Sequence, residues 1–124
     1  AALADAASSH GPHVSVFAPH PLPELSASVL ACGYFFGTEA LTNAAKHAPG
    51  APVSVLVTSD DSLRITVVDE GPGGAQVVPG RGLAGMAERL AAFGGEMSLS
   101  SPPGGPTRVA GSIPLLLDRG QPGV

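Results

Sequence analysis

The chain has 124 residues, the size of one compact domain, and 44% of them are hydrophobic, which is enough to build a core. Its net charge is −4 and it has no basic run, so we expect no nucleic-acid partner. No apolar stretch reaches the roughly 20 residues of a membrane-spanning helix, so we expect no direct membrane contact by this domain. Cys32 is the single cysteine, which excludes an intrachain disulfide and is typical of a buried, inert thiol.

The two ends of the chain differ in composition from the segment between them. Residues 1–13 are small and polar, and they carry neither an initiating methionine nor the basic and apolar regions of a signal peptide. We therefore expect a flexible N-terminal tail over 1–13, a folded domain over 14–116 and a C-terminal tail over 117–124. The absent methionine suggests that the chain is a fragment of a longer protein.

A strand and a long helix are predicted first in the folded segment. Alternating apolar residues predict a strand over 14–17. A helix is predicted over 23–48, because a proline and an acid suit its first turn and a Pro-Gly pair follows its end. Gly33 and Gly37 weaken this helix, so we expect them to mark close packing against a neighbouring element.

The rest of the domain is predicted to contain two hairpins separated by a loop and a helix. Alternation over 53–58 and 63–69 predicts an antiparallel hairpin, and 70–81 reads as a Gly- and Pro-rich loop. A helix is predicted over 83–93, and a last pair of strands ends near residue 115. This order favours an α+β two-layer sandwich, with a mostly antiparallel sheet and the helices on one face.

Polar residues near the end of the first predicted helix have a spacing that suits a metal-phosphate site. Glu39 and Asn43 are four residues apart, and Lys46 and His47 follow them. Residues at this spacing share a helix face. An amide oxygen suits Mg²⁺, a cation neutralises phosphate, and a carboxylate can polarise an attacking group. A solvated polar helix face has the same pattern, so the spacing alone leaves both interpretations open.

The end of the strand over 63–69 carries an acidic residue followed by glycines. Asp69 enters a loop that contains Gly71 and Gly73. A carboxylate at this place can accept a hydrogen bond from an exocyclic amine such as that of adenine. Glycines let the backbone approach a ligand and adopt positive φ. An ordinary Asp-Gly turn is the alternative interpretation.

Two further glycine segments follow. Residues 80–85 match G-x-G-x-x-G, but a loop rather than a strand precedes them, which argues against a dinucleotide fold. The helix that follows still offers its positive N-terminal end to a phosphate. The P-loop pattern is absent from the chain. Residues 104–107, taken alone, indicate only a Gly-Pro hairpin turn with a threonine.

Together these four segments resemble the ATPase domain of histidine kinases, in the superfamily that includes type II topoisomerases and mismatch-repair ATPases. Residues 38–47 resemble its N box, 69–73 its D-x-G-x-G box, 80–85 its second glycine box and 104–107 its final Gly-Thr element, although Pro106 intervenes before Thr107. The resemblance covers about 14–114 and implies a Bergerat-type ATP-binding fold. Residues 39–48 and 82–90 are similar to the kinases that pair with helix-turn-helix response regulators.

The resemblance implies roles for the residues of the first helix. Glu39 would orient or activate the phosphoacceptor histidine, and Asn43 would ligate Mg²⁺. Lys46 and His47 would face the phosphates of ATP. Phosphoryl transfer depends mainly on positioning and charge neutralisation, so this short set is chemically sufficient.

The resemblance also implies an adenine pocket and a lid. Asp69 would bind the adenine amine between Gly71 and Gly73, Thr107 would support the pocket from the sheet, and 74–82 would form a mobile ATP lid. The implied ATP-binding residues are Asn43, Lys46, His47, Asp69, Gly71, Gly73, Gly80, Gly82, Leu83, Gly85, Met86 and Thr107.

The expected function is transfer of the γ-phosphoryl group of Mg·ATP to a histidine on a separate dimerisation domain of the same protein, with a response regulator downstream. His10, His13 and His20 have non-helical surroundings, so this chain is expected to bind ATP without phosphorylating itself. The resemblance implies a monomer, since the dimer contacts of the family lie mainly in its dimerisation helices. A cytoplasmic location follows from the resemblance and from the supply of ATP, and leaves open whether the full-length protein is anchored in a membrane. The alternatives are a serine kinase of the anti-sigma-factor type, a nucleotide-binding module without phosphotransfer and an interaction domain without a ligand.

Overall fold

The structure is a computed structural model that describes residues 5, 8, 11, 13–74 and 82–115. The expected C-terminal tail, most of the expected N-terminal tail and residues 75–81 of the expected lid lie outside these ranges. Five strands and two helices are present in the described part of the chain: β1 (Val14–Phe17), α1 (Ala27–His47), β2 (Val53–Ser59), β3 (Ser62–Asp69), α2 (Gly82–Ala91), β4 (Glu96–Ser100) and β5 (Thr107–Pro114).

The strands form one sheet in the order β1-β2-β3-β5-β4. The β2–β3, β3–β5 and β4–β5 pairs are antiparallel, whereas β1 pairs with β2 in parallel. The sheet is therefore mixed: an antiparallel β3–β5 pair that was not predicted joins the two predicted hairpins, β2–β3 and β4–β5, and one parallel pair adds β1. The parallel pair arises because α1 connects β1 to β2, and a crossover of this length returns the chain in the same direction.

Both helices pack on one face of the sheet, which confirms the predicted α+β two-layer class. Apolar side chains alternate along the strands, and their buried members join those of the helices in one cluster. Gly111 of β5 has no side chain, which lets both helices pack closely on the sheet. A Cβ at this position would lie 2.9 Å from the Phe36 ring and 3.0 Å from Leu90. Gly33 of α1 similarly faces Leu63 and Ile65, as the sequence led us to expect.

The long helix begins at Ala27, after the start near residue 23 that the sequence predicted. Ser26 has an extended backbone, and its hydroxyl accepts the backbone N–H of Val29 at 3.2 Å. The predicted start was therefore wrong, because the N-cap serine rather than the upstream proline defines it. The second helix likewise ends at Ala91, short of the predicted residue 93, and Gly94 follows at φ 75°.

Cys32 is buried in α1, as predicted, and burial raises the pKa of its thiol. Among the residues that the structure describes, no helix has the length and apolar character to cross a membrane.

Candidate functional site

A cavity of about 520 Å³ opens between the C-terminal half of α1, the start of α2 and one end of the sheet. Four segments line it: α1, the ends of strands β3 and β5, the glycine loop after β3, and the first residues of α2. The lining residues are Ala40, Asn43, Ala44, His47, Val67, Asp69, Pro72, Gly73, Gly74, Gly82, Leu83, Thr107 and Val109.

The α1 wall of the cavity is one face of the helix. Asn43 and His47, both predicted from the sequence, line it together with Ala40 and Ala44. These four positions follow the spacing of a single helical stripe. The sequence prediction missed the two alanines because it considered polar groups only, and helical periodicity alone would have found them.

The floor of the cavity consists of two cross-strand pairs. Asp69 lies opposite Thr107, and Val67 lies opposite Val109, in the register of β3 with β5. Directly opposed side chains in an antiparallel pair have Cβ atoms about 5 Å apart. The two valines were missed from the sequence, although alternation along each strand puts them on the same face as the predicted residues.

Asp69 is the one buried polar or charged side chain among the described residues, with 7% of its surface exposed. Its Oδ1 atom accepts the backbone N–H of Gly71 at 3.0 Å. Within the described chain, Oδ2 accepts no hydrogen bond from a protein donor. Because a buried carboxylate is costly unless its oxygens are satisfied, Asp69 is suited to a hydrogen-bond donor that enters the cavity.

Hydrogen bonds hold the glycine loop after β3 against the turn between β4 and β5. The N–H of Gly74 donates to the carbonyl of Ser101 at 2.9 Å, and the N–H of Gly104 donates to the carbonyl of Pro72 at 2.8 Å. These two backbone bonds fix the edge of the cavity from which the expected lid departs.

Glycine is required where the loop and the turn approach each other. Gly73 has φ 71°, and a Cβ there would overlap the carbonyl oxygen of Pro102 and lie 2.6 Å from the nitrogen of Gly105. A Cβ on Gly71 would overlap Ala48 at the end of α1. Close contacts within the protein therefore require both glycines, whereas the sequence pattern predicted them for the approach of the backbone to a ligand.

Asn43 joins α1 to the start of α2. Its Nδ2 atom donates to Met86 Sδ at 3.6 Å. A Cβ on Gly82 would lie 3.4 Å from Asn43 Oδ1, so the amide oxygen lies beside the first residue of α2. Met86 is fully buried, and it holds the amide from beneath instead of lining the cavity.

Several residues of the predicted set lie beside the cavity rather than on its surface. Glu39 is half-buried and Lys46 is exposed, and at about 100° per residue both fall on one flank of α1 next to the lining stripe. Gly71 supports Asp69, and Gly85 is exposed with open space around it. Gly80 lies outside the described residues.

The comparison with protein families decides the kind of domain that holds this cavity. Residues 37–117 match the model described as histidine kinase-, DNA gyrase B-, and HSP90-like ATPase. The chain belongs to this family.

Two curated proteins that the chain resembles are sensor histidine kinases of Bacillus subtilis (strain 168). Sensor histidine kinase YxjM is 33% identical over 79 residues, which cover 63% of this chain and 20% of the relative. Sensor histidine kinase LnrJ is 38% identical over 64 residues, 51% of this chain and 16% of the relative. The chain thus matches a fifth or less of the length of these relatives.

Solved structures share the fold of this ATPase-family domain. The histidine kinase domain of the Erythrobacter litoralis EL346 blue-light activated histidine kinase superposes with a TM-score of 0.68 at 21% identity, over 91% of this chain and 61% of the other. Full-length ShkA, solved in complex with AMPPNP, superposes with a TM-score of 0.68 at 22% identity. The match covers 91% of this chain and 29% of ShkA. The predicted fold is therefore confirmed.

Proposed function

We propose that this domain binds Mg·ATP in the 520 Å³ cavity and supplies its γ-phosphoryl group to a histidine on a separate dimerisation domain of the same protein. The observation that carries the proposal is the buried Asp69 carboxylate on the floor of the cavity that Asn43 also lines. Membership in the ATPase family and the sensor kinase relatives support it.

Asp69 is the proposed adenine contact. An ionised carboxylate only accepts hydrogen bonds, and the exocyclic amine of adenine donates them. Guanine has an acceptor oxygen at the same place, so the carboxylate favours adenine. Gly71 holds one carboxylate oxygen, and Thr107 provides a hydroxyl on the neighbouring strand.

The phosphates are proposed to lie between α1 and the start of α2. The N–H groups at the beginning of α2 favour an anion, and His47 lines the same cavity. We extend this proposal to Lys46 at the edge of the site and to Gly80, Gly82, Leu83 and Gly85 in and after the lid.

Asn43 is the proposed protein ligand of Mg²⁺. Met86 holds its amide nitrogen, which leaves the amide oxygen beside Gly82, where the phosphates are proposed to lie. The described residues contain no group of three His, Cys, Asp or Glu side chains that could hold a metal. An amide oxygen fits Mg²⁺, which takes few protein ligands and retains water and phosphate oxygens. When bound, the ion would neutralise phosphate charge.

Glu39 is proposed to orient or activate the incoming histidine. It lies one helical turn before Asn43 and outside the cavity, so it can act on the acceptor without contacting the nucleotide. The curated relatives favour histidine over a protein serine as the acceptor, since both are sensor histidine kinases. A helix-turn-helix response regulator as the next recipient and a cytoplasmic location of the domain belong to the same proposal.

Calorimetric titration tests the nucleotide and metal assignments. Mg·ATP is titrated into the parent chain, Asp69→Asn and Asn43→Ala. We expect Asp69→Asn to weaken binding at least about tenfold, because it removes a charge-assisted hydrogen bond to the base. We expect Asn43→Ala to abolish the dependence of ATP affinity on Mg²⁺.

Asp61→Asn is the matched control for the charge change, since Asp61 is exposed at the turn between β2 and β3. It should leave ATP binding unchanged. Parental ATP affinity in Asp69→Asn would rule out the adenine assignment, and unchanged magnesium dependence in Asn43→Ala would rule out the metal assignment.

A further inference from the structure

Ser101 lies just after β4 and contacts a residue of the cavity floor. Its hydroxyl oxygen is 2.6 Å from Thr107 Oγ1, which is the distance of a strong hydrogen bond between hydroxyl groups. Thr107 lines the cavity and is the cross-strand partner of Asp69. Ser101 does not line the cavity itself, whereas its hydrogen-bond partner Thr107 does.

The direction of this hydrogen bond decides what Thr107 offers to the cavity. A hydroxyl has one hydrogen and two lone pairs. When Ser101 donates, the Thr107 hydrogen remains available to a group in the cavity. When Thr107 donates, its hydrogen is occupied and the cavity meets only an acceptor, next to the acceptor Asp69.

We propose that Ser101 is a positioning residue that donates to Thr107 and so makes Thr107 a hydrogen-bond donor beside Asp69. This inference rests on the proposed binding of ATP. The acceptor Asp69 would then pair with the amine of adenine, and the donor Thr107 would pair with the adjacent ring nitrogen, which accepts. The guanine edge has the reverse order, a carbonyl oxygen and a ring N–H. Ser101 thus contributes to the preference for adenine over guanine.

The backbone of Ser101 makes a contact that is separate from that of its hydroxyl. The Ser101 carbonyl accepts the N–H of Gly74 at 2.9 Å, which ties the residue to the glycine loop. Replacing Ser101 with alanine keeps this carbonyl and removes only the hydroxyl. The substitution therefore separates the side-chain contact from the support of the loop.

The test compares ATP and GTP affinities of the parent, Ser101→Ala, Ser101→Thr, Thr107→Val and the Ser101→Ala/Thr107→Val double variant by calorimetry. We expect Ser101→Ala to weaken ATP binding roughly threefold to tenfold, the effect of one hydrogen bond, and to narrow the preference for ATP over GTP. Ser101→Thr, which keeps the hydroxyl, should restore both. In the Thr107→Val background, Ser101→Ala should have no further effect.

Ser100→Ala is the matched control, since Ser100 is the exposed neighbour of Ser101 at the end of β4. The inference is overturned when Ser101→Ala retains the parental ATP affinity and ATP-to-GTP ratio. It is also overturned when the losses from Ser101→Ala and Thr107→Val add fully in the double variant.

A readout without nucleotide separates this inference from the proposed function. Three-bond couplings of the Thr107 methyl group, measured by NMR, should report one χ1 rotamer in the parent and averaging in Ser101→Ala. Unchanged couplings would overturn the contact whether or not ATP binds. A parent chain that binds no ATP would instead refute the proposed function and, with it, the selectivity that we assign to Ser101.

Discussion

Two adjacent glycines in the loop after β3 share a backbone conformation but have different surroundings. Gly73 has φ 71° and Gly74 has φ 82°, both in the left-handed region. A Cβ on Gly73 would overlap the Pro102 carbonyl, whereas a Cβ on Gly74 would meet nothing within 4 Å. The pair therefore separates the cost of the left-handed conformation from the cost of steric overlap.

We predict that Gly73→Ala destabilises the chain more than Gly74→Ala. Gly74→Ala should cost about 1–2 kcal/mol, the penalty for a side chain in the left-handed region. Gly73→Ala should add roughly 1–3 kcal/mol, because the loop and the turn must separate. Urea unfolding of the parent and both variants measures the difference. Equal losses would show that the loop does not pack against the turn as described.

Asp69 shows how a buried polar residue can indicate a ligand. Carboxylates are almost never fully buried unless they are paired. In the described chain, the partner of Asp69 is the N–H of Gly71 alone. A donor from the base of a nucleotide would satisfy the second oxygen, which is why Asp69→Asn is the most informative substitution at this scale.

At the scale of elements, the contact of both helices with β5 depends on Gly111. Phe36 of α1 and Leu90 of α2 each have 1% of their surface exposed, and both lie against this glycine. The contact positions α1 above the sheet, and with it the row that contains Asn43 and His47. Helix packing on β5 is therefore coupled to the shape of the cavity.

We predict that Gly111→Ala destabilises the chain by roughly 1–3 kcal/mol, because the added methyl group overpacks the ring of Phe36. Gly85→Ala is the matched substitution in open space, and it should stabilise the chain by up to about 1 kcal/mol through helix propensity. Thermal and urea unfolding of the two variants tests this. A Gly111→Ala variant as stable as the parent would contradict the tight contact.

At the scale of the whole molecule, the positions of the histidines bear on the proposal that the acceptor histidine belongs to another domain. His13 precedes β1 in a turn, His20 lies between β1 and α1, and His47 ends α1 in the cavity. His10 lies outside the described residues. The proposed acceptor histidine needs an exposed position in the middle of a helix. In the described part of the chain, no histidine has such a position.

We predict that this chain, incubated with Mg·ATP labelled at the γ-phosphate, forms no acid-labile phosphohistidine. Adding the dimerisation domain of the same protein should produce the label on that domain, and Glu39→Gln should reduce it because the acceptor histidine is no longer activated. Gel autoradiography before and after acid treatment measures both results. Acid-labile phosphate on this chain alone would refute the assignment of the acceptor to a separate domain.

Local patterns in the sequence determined most of the elements and half of the site. The spacing of Asn43 and His47 put them on one helix face, and the end of an apolar strand placed Asp69 before a glycine loop. These predictions succeed because helical and strand periodicity depend on neighbouring residues only. Resemblance to a known family, rather than local pattern, connected Thr107 to the same site.

Only the tertiary structure decided which strands meet and what lies beneath the site. β5 inserts between β3 and β4, which puts Thr107 opposite Asp69 and brings Ser101 to its hydroxyl. The same packing placed Glu39 and Lys46 beside the cavity and Met86 beneath Asn43. Pairing of strands distant in the chain depends on how the two helices and the sheet bury their apolar faces together, and no local spacing encodes that choice.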